Sequence, residues 1–171
     1  VYLTTDGRVE LCNAAAEHIL GRRAGELAGA GPADPRWLAV REDGSRIPED
    51  ELPLQSTLRT GQPRRDELVG VQRPDGSLAW LSGNTQPLLR PGEPRPHAVV
   101  ASFTDVSQRK LAQQRLRESE QRFRAVADAA PALIWRSGPD RACSYFNRGW
   151  LGFTGRERED ELGSGWLEGL H

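Results

Sequence analysis

Apolar and polar positions alternate over short stretches that turn residues separate. Val1 to Thr4 (VYLT) reads as a strand, and Asp6-Gly7 as a tight turn, because glycine supplies the positive φ that hairpin turns require. Arg8 to Cys12 alternates polar and apolar, as a half-buried strand does. Asn13 fits a helix N-cap: its side-chain oxygen can accept from a first-turn N–H that has no partner inside the helix. Ala14 to Leu20 then predicts a short helix that Gly21 ends, and Ala24 to Leu27 a second one ending at Ala28-Gly29. Residues 29–53 are rich in Gly, Pro, Asp and Glu and read as loop with at most short helical turns, anchored by Trp37, Leu38 and Val40. Pro53 to Thr60 predicts a helix with proline in its first turn and Leu54 and Leu58 on one face, stopped by Gly61.

The pattern then shifts to strands. Glu67 to Gln72 is one, Asp75-Gly76 a turn, Leu78 to Leu89 a second, Arg90 to Pro96 a proline-rich connection, and His97 to Thr104 a third. Strands first, helices next and strands again predict an α+β domain, with helices grouped on one face of an antiparallel sheet. From Ser107 to about Ala130 no Gly or Pro interrupts a helical pattern. Ala112, Leu116, Phe123 and Val126 fall near heptad a and d positions, while Arg109 and Ser119 break the seam, so a solvated connecting helix and a marginal coiled coil both stay open. After Pro131, Ala132 to Arg136 and Ala142 to Phe146 read as strands, Asn147 as a cap and Arg148 to Phe153 as a short helix.

This last stretch repeats the beginning. Asp6, Asn13 and Gly21 recur as Asp140, Asn147 and Gly155 at a constant offset of 134 residues, and Glu26-Leu27 finds a counterpart in Glu161-Leu162, shifted by one. So long a period indicates two copies of a domain, since solenoid units repeat every ~20–50 residues. The expectation is one complete module over residues 1–106, a connecting helix over 107–130, and the first half of a second module over 131–171, cut from a larger protein. A lone hairpin is marginal in water, so the half-module is expected to be poorly ordered or to borrow a neighbour's sheet.

Composition narrows the function classes. A net charge of −1 gives no general attraction to nucleic acid or an anionic membrane. No apolar run approaches the ~18 residues of a membrane span, so membrane attachment is expected only through regions outside the chain, and the location is expected to be cytoplasmic. Cys12 and Cys143 lack metal-site spacing and read as ordinary thiols. The single lysine, Lys110, has no evident role. Spacing suggests no nucleophile–base pair, so the chain reads as non-enzymatic, without a metal site.

The ordered set of elements resembles the PAS sensory domains of bacterial signalling proteins. In the first copy the resemblance rests on the Asp6-Gly7-Arg8 turn, the Asn13 cap, Arg73 to Leu81 (RPDGSLAWL), and the Ala98 to Phe103 strand running into Thr104-Asp105-Val106-Ser107. In the second it rests on Tyr145-Phe146-Asn147, Trp150, Phe153-Thr154-Gly155 and Gly165-Trp166-Leu167. The resemblance implies a five-stranded antiparallel sheet with short helices over one face. It also implies sensing or dimerisation ahead of an output domain, such as a histidine kinase, a diguanylate cyclase or a transcriptional regulator. A homodimer through the connecting helix or the sheet face, and a small-molecule ligand, are the expected partners.

The cofactor remains unknown. A flavin photosensor needs a reactive Cys on a helix, and Cys12 sits at a strand end; a haem sensor needs an axial His on the helix 53–60, which has none, and His18 and His97 read as surface or packing residues. What remains is a generic cavity between sheet and helices, with Trp37, Leu58, Val69, Val71, Trp80, Asn84 and Ser102 as candidate lining. Alternation puts Leu78, Trp80, Ser82 and Asn84 on one face and Ala79, Leu81, Gly83 and Thr85 on the other, without saying which is inside. Asp105 and Ser107 are the candidate relay between sheet and helix.

Overall fold

The computed structural model describes residues 1–31, 34 and 38–169; Trp37 and His171 lie outside the described residues. The chain forms two compact units, Val1–Leu111 and Ala112–His171.

The first unit is α+β. Strands β1 (Tyr2–Thr4) and β2 (Val9–Leu11) lead into helices α1 (Ala14–Leu20) and α2 (Ala24–Leu27). A two-residue strand β3 (Ala39–Val40), a 3-10 turn and helix α3 (Pro53–Thr60) follow, then β4 (Arg64–Gln72), β5 (Leu78–Leu88) and β6 (Ala98–Asp105). All sheet neighbours are antiparallel, in the order β2-β1-β6-β5-β4-β3. Five of these strands match the expectation. The sixth, β3, was hidden in a Gly- and Pro-rich stretch, because it exists only by pairing with Val71 and Gly70 on the edge of β4.

The turn chemistry acts as the sequence predicts. Asn13 Oδ1 accepts from the Ala16 N–H at 3.0 Å, and Gly21 closes α1 in the left-handed conformation at φ +65°. One strand start differs: β4 begins at Arg64 rather than Glu67 because the ladder slips between those residues, with Asp66 at φ +53° and its N–H donated to Asn84 Oδ1 at 3.0 Å.

The register also settles which face is inside. Ala79 and Leu81 are buried and pack with Leu3, Val9, Leu20 and Leu27 beneath the helices, and Thr85, also buried on that face, bonds Thr57 of α3. Trp80 lies on the opposite face. Gly70 seats its ring there, since a Cβ on Gly70 would stand 2.8 Å from Val40 and 3.2 Å from the Trp80 ring.

Helix α4 (Ser107–Ala129) leaves the first unit and enters the second. The second unit adds hairpin β7 (Trp135–Ser137) and β8 (Cys143–Phe146), helices α5 (Arg148–Thr154) and α6 (Arg158–Glu161), and a terminal 3-10 turn. The expected strand 132–136 starts only at Trp135. The backbone before it is taken up by Asn147, whose side chain bonds the Ala132 carbonyl and the Ile134 N–H.

The repeat keeps its offset of 134 beyond Gly155. Residues 158–161 fold as residues 24–27 do, and Gly163 takes the positive φ of Gly29. The structural counterpart of Leu27 is therefore Glu161, which corrects the one-residue shift read from the sequence.

Candidate functional site

Two features of the first unit have functional geometry: a cavity under the helices and the junction where β6 becomes α4. The cavity has a volume of about 160 Å³. Its walls are mostly apolar: Val1, Leu3, Val9, Leu20 and Leu27 from the N-terminal segment, Leu52 to Gln55 at the start of α3, and Val69, Val71, Leu81, Ala101 and Phe103 from the sheet.

Of the residues proposed from sequence, Val69, Val71, Asn84 and Ser102 border this cavity. Val69 and Val71 point to it by the alternation of β4, while Asn84 and Ser102 are exposed partners in the β5–β6 register. Leu58 and Trp80 do not line it. Helix α3 meets the cavity through its first turn only, one turn before Leu58, and Trp80 projects from the other side of the sheet. The sequence reading missed the contribution of α1 and α2, since nothing local to Leu20 or Leu27 says which strands they cover.

At the junction, Asp105 bonds in two directions. Its Oδ2 accepts from the Arg73 guanidinium at 2.6 Å, and its Oδ1 accepts from the Ser107 N–H at 2.8 Å. Arg73 also donates from Nε to the Ile19 carbonyl at 2.7 Å, so one side chain ties α1 to the end of β6. Ser107 Oγ accepts from the Trp80 N–H at 2.8 Å, and the Val106 N–H donates to the Trp80 carbonyl at 2.8 Å. One turn later Lys110 places its Nζ 4.7 Å from the Trp80 ring centroid and pairs with Glu42.

Burial alone would raise the Asp105 carboxyl; the hydrogen bonds from Ser107 and the Arg73 contact outweigh it and hold the group below the usual carboxylate range. Asp105 and Ser107 were legible in the sequence as a junction. Arg73 and Lys110 were not, because their partners lie 32 and 68 residues away in the chain.

Among the described residues no group of three or more His, Cys, Asp or Glu side chains is placed to hold a metal ion, and no helix is long and apolar enough to cross a membrane.

The chain is similar to known proteins. A family described as "PAS fold" matches residues 1–111, and one described as "PAS domain" matches residues 121–171. The y4lL protein of Sinorhizobium fredii is 45% identical over 115 residues, covering 67% of this chain and 14% of that protein. The two-component sensor PprA of Pseudomonas aeruginosa is 33% identical over 131 residues, covering 73% of this chain and 13% of the sensor. The chain thus spans about one seventh of the length of the curated relatives it matches. Among solved structures, a sensory box histidine kinase/response regulator from Burkholderia thailandensis superposes with a TM-score of 0.50 at 20% identity, covering 72% of this chain and 88% of that one, a likeness of fold. With the sheet order, the junction and the match over residues 1–111 all in agreement, the chain belongs to the PAS family of sensory domains.

Proposed function

We propose that this chain is a sensory and dimerisation region of a bacterial signal-transduction protein, and that it passes a change in the first unit to an output domain through α4. The observation that carries the reading is the double bonding of Asp105, to Arg73 on one side and to the first turn of α4 on the other. A carboxylate so placed fixes the angle at which the helix leaves the sheet, and charge-assisted bonds of this kind are among the stronger ones. A ligand that moves β4, β5 or α1 acts on Arg73 or Trp80, and both contact the junction. The helix then has two arrangements to choose between, the general requirement for a switch. The relative named as a two-component sensor supports a kinase as the output. The chain itself serves as the non-catalytic part.

The test uses the full-length parent. Asp105→Ala leaves the circular dichroism spectrum and melting curve of the sensory region close to wild type while output becomes independent of signal. Normal signal-dependent output from this variant refutes the relay.

A second reading, an interaction module without ligand, draws on α4. Residues 111–126 are all exposed, with Leu116 and Val126 each 71% accessible. Facing a second copy in a two-stranded coil would cover them. Leu116→Glu is expected to shift a dimer to monomer in sedimentation experiments; an unchanged mass rules out this seam.

A further inference from the structure

We propose that the cavity of the first unit selects a small, uncharged, apolar ligand about the size of a single six-membered ring. This rests on the sensory reading above and adds the chemical class of the ligand. Volume sets the size. The cavity measures about 160 Å³, close to the ~150 Å³ of an engineered apolar cavity that stays dry and binds benzene. A porphyrin or a three-ring flavin is several times too large for such a space.

The walls set the chemistry. Aliphatic side chains form most of the surface, among them Leu3, Val9, Leu20, Leu27, Val69 and Ala101. Among the described residues, four of the five polar side chains at its border have partners within the protein. Thr85 shares a hydrogen bond with Thr57 at 2.6 Å, both hydroxyls being buried. Gln55 Nε2 donates to the Gly7 carbonyl at 3.3 Å, and Asn84 Oδ1 accepts from the Asp66 N–H. Glu67 pairs with Arg64 at 3.4 Å. Ser102, the remaining one, is exposed at the border. A carboxylate or ammonium entering this space would lose its water, and among the described residues the charged groups at the border, the Val1 ammonium and the Glu67 carboxylate, already bond the Ala101 carbonyl and Arg64, which disfavours any charged ligand. An apolar ring loses nothing of the kind and gains contact with the aliphatic walls.

The test is a titration of the 171-residue chain with benzene, sodium benzoate and benzylammonium chloride, and with ethylbenzene as the uncharged control for the substituents of the two ions. Amide and methyl NMR shifts are followed together with the melting temperature. Benzene is expected to give saturable shifts at Val9, Leu27 and Val71 and a higher melting temperature; the two ions give neither at the same concentration. Ala101→Leu, which extends a wall side chain into the space, abolishes the benzene shifts, with spectral dispersion as the check that it folds. Ala39→Val, a smaller filling of the same wall, weakens them several-fold and serves where Ala101→Leu does not fold. The proposal is overturned if either ion binds as tightly as benzene, if no probe shows saturable shifts, or if the benzene shifts survive both folded variants. Failure of the relay leaves a separate mark: normal output from Asp105→Ala, with the benzene shifts intact.

Discussion

Asn13 and Asn147 hold the same place in two copies of one pattern, and their surroundings differ: at the 134-residue offset the positions that would match Ala127, Ala132 and Ile134 fall before Val1. Asn13 is exposed and caps α1 through a single side-chain bond to the Ala16 N–H. Asn147 is fully buried. Its Nδ2 donates to the carbonyls of Ala127 and Ala132 at 2.7 and 2.9 Å, and its Oδ1 accepts from the N–H groups of Ile134 and Trp150, both at 3.0 Å. The cap function is common to both. The additional bonds in the second copy fasten the end of α4 and the segment after it to the hairpin. Asp128, near the end of that helix, adds bonds from the Tyr145 hydroxyl at 3.1 Å and the Arg148 N–H at 2.8 Å. The hairpin that looked marginal from the sequence therefore has a partner: the helix that enters it.

The core position after the motif differs as well. Leu27 is 1% exposed and lines the cavity of the first unit. Its counterpart Glu161 is equally buried, and neither of its carboxylate oxygens has a hydrogen-bond partner; Arg156 stands 3.8 Å from one of them. Cys143, the counterpart of Val9, is pushed upward in pKa by burial and then by the charge of Glu161. The first unit has an apolar interior at these positions and the second an acidic one.

The sharpest way to break the comparison is at the asparagines. Asn147→Ala leaves two carbonyls and two N–H groups short of a partner and is expected to destabilise the second unit by roughly 3–5 kcal/mol, whereas Asn13→Ala costs about 1 kcal/mol, as lost caps do. Urea unfolding read unit by unit, with hydrogen exchange at Ile134 and Trp150, measures both. Equal costs would mean that the buried bonds contribute nothing beyond capping.

Next in size is the exchange of core residues. Glu161→Leu restores the side chain of the first copy and is expected to stabilise the second unit by about 1–3 kcal/mol, because a buried carboxylate without hydrogen bonds is replaced by an apolar group. Thermal melting decides; a loss of stability would show that the Arg156 contact outweighs desolvation.

The smallest expected effect concerns pH at the junction of the first unit. The Asp105 pKa is depressed in the folded state, so its contribution is fully present above the unfolded aspartate value of about 3.9 and fades as pH falls through the folded one. Exchange protection of the Ser107 amide should therefore decline on acidification below about pH 4, where aspartate ordinarily protonates. In Asp105→Asn the same amide should show a flat profile over that range. Matching profiles in the two proteins would remove Asp105 as the titrating group.

Much of this was legible in the chain because it is local. Turns at Gly7 and Gly76, caps at Asn13 and Asn147, and helix stops at Gly21, Gly61 and Gly155 follow from backbone conformations that few other residues adopt. The candidate site was only partly legible. Period-two alternation paired Trp80 with Asn84 and Ala79 with Leu81, but the same alternation holds whichever face is covered.

The sequence by itself determined the element types, the repeat and the α+β class, since these depend on side chains acting within a few residues. The tertiary structure alone decided which face of β5 is buried, that Arg73 meets Asp105, that Lys110 lies over Trp80, and that Asn147 bonds the end of α4 as well as capping α5. Each of these depends on segments brought together from more than a dozen residues apart, and no local pattern specifies which surface arrives there.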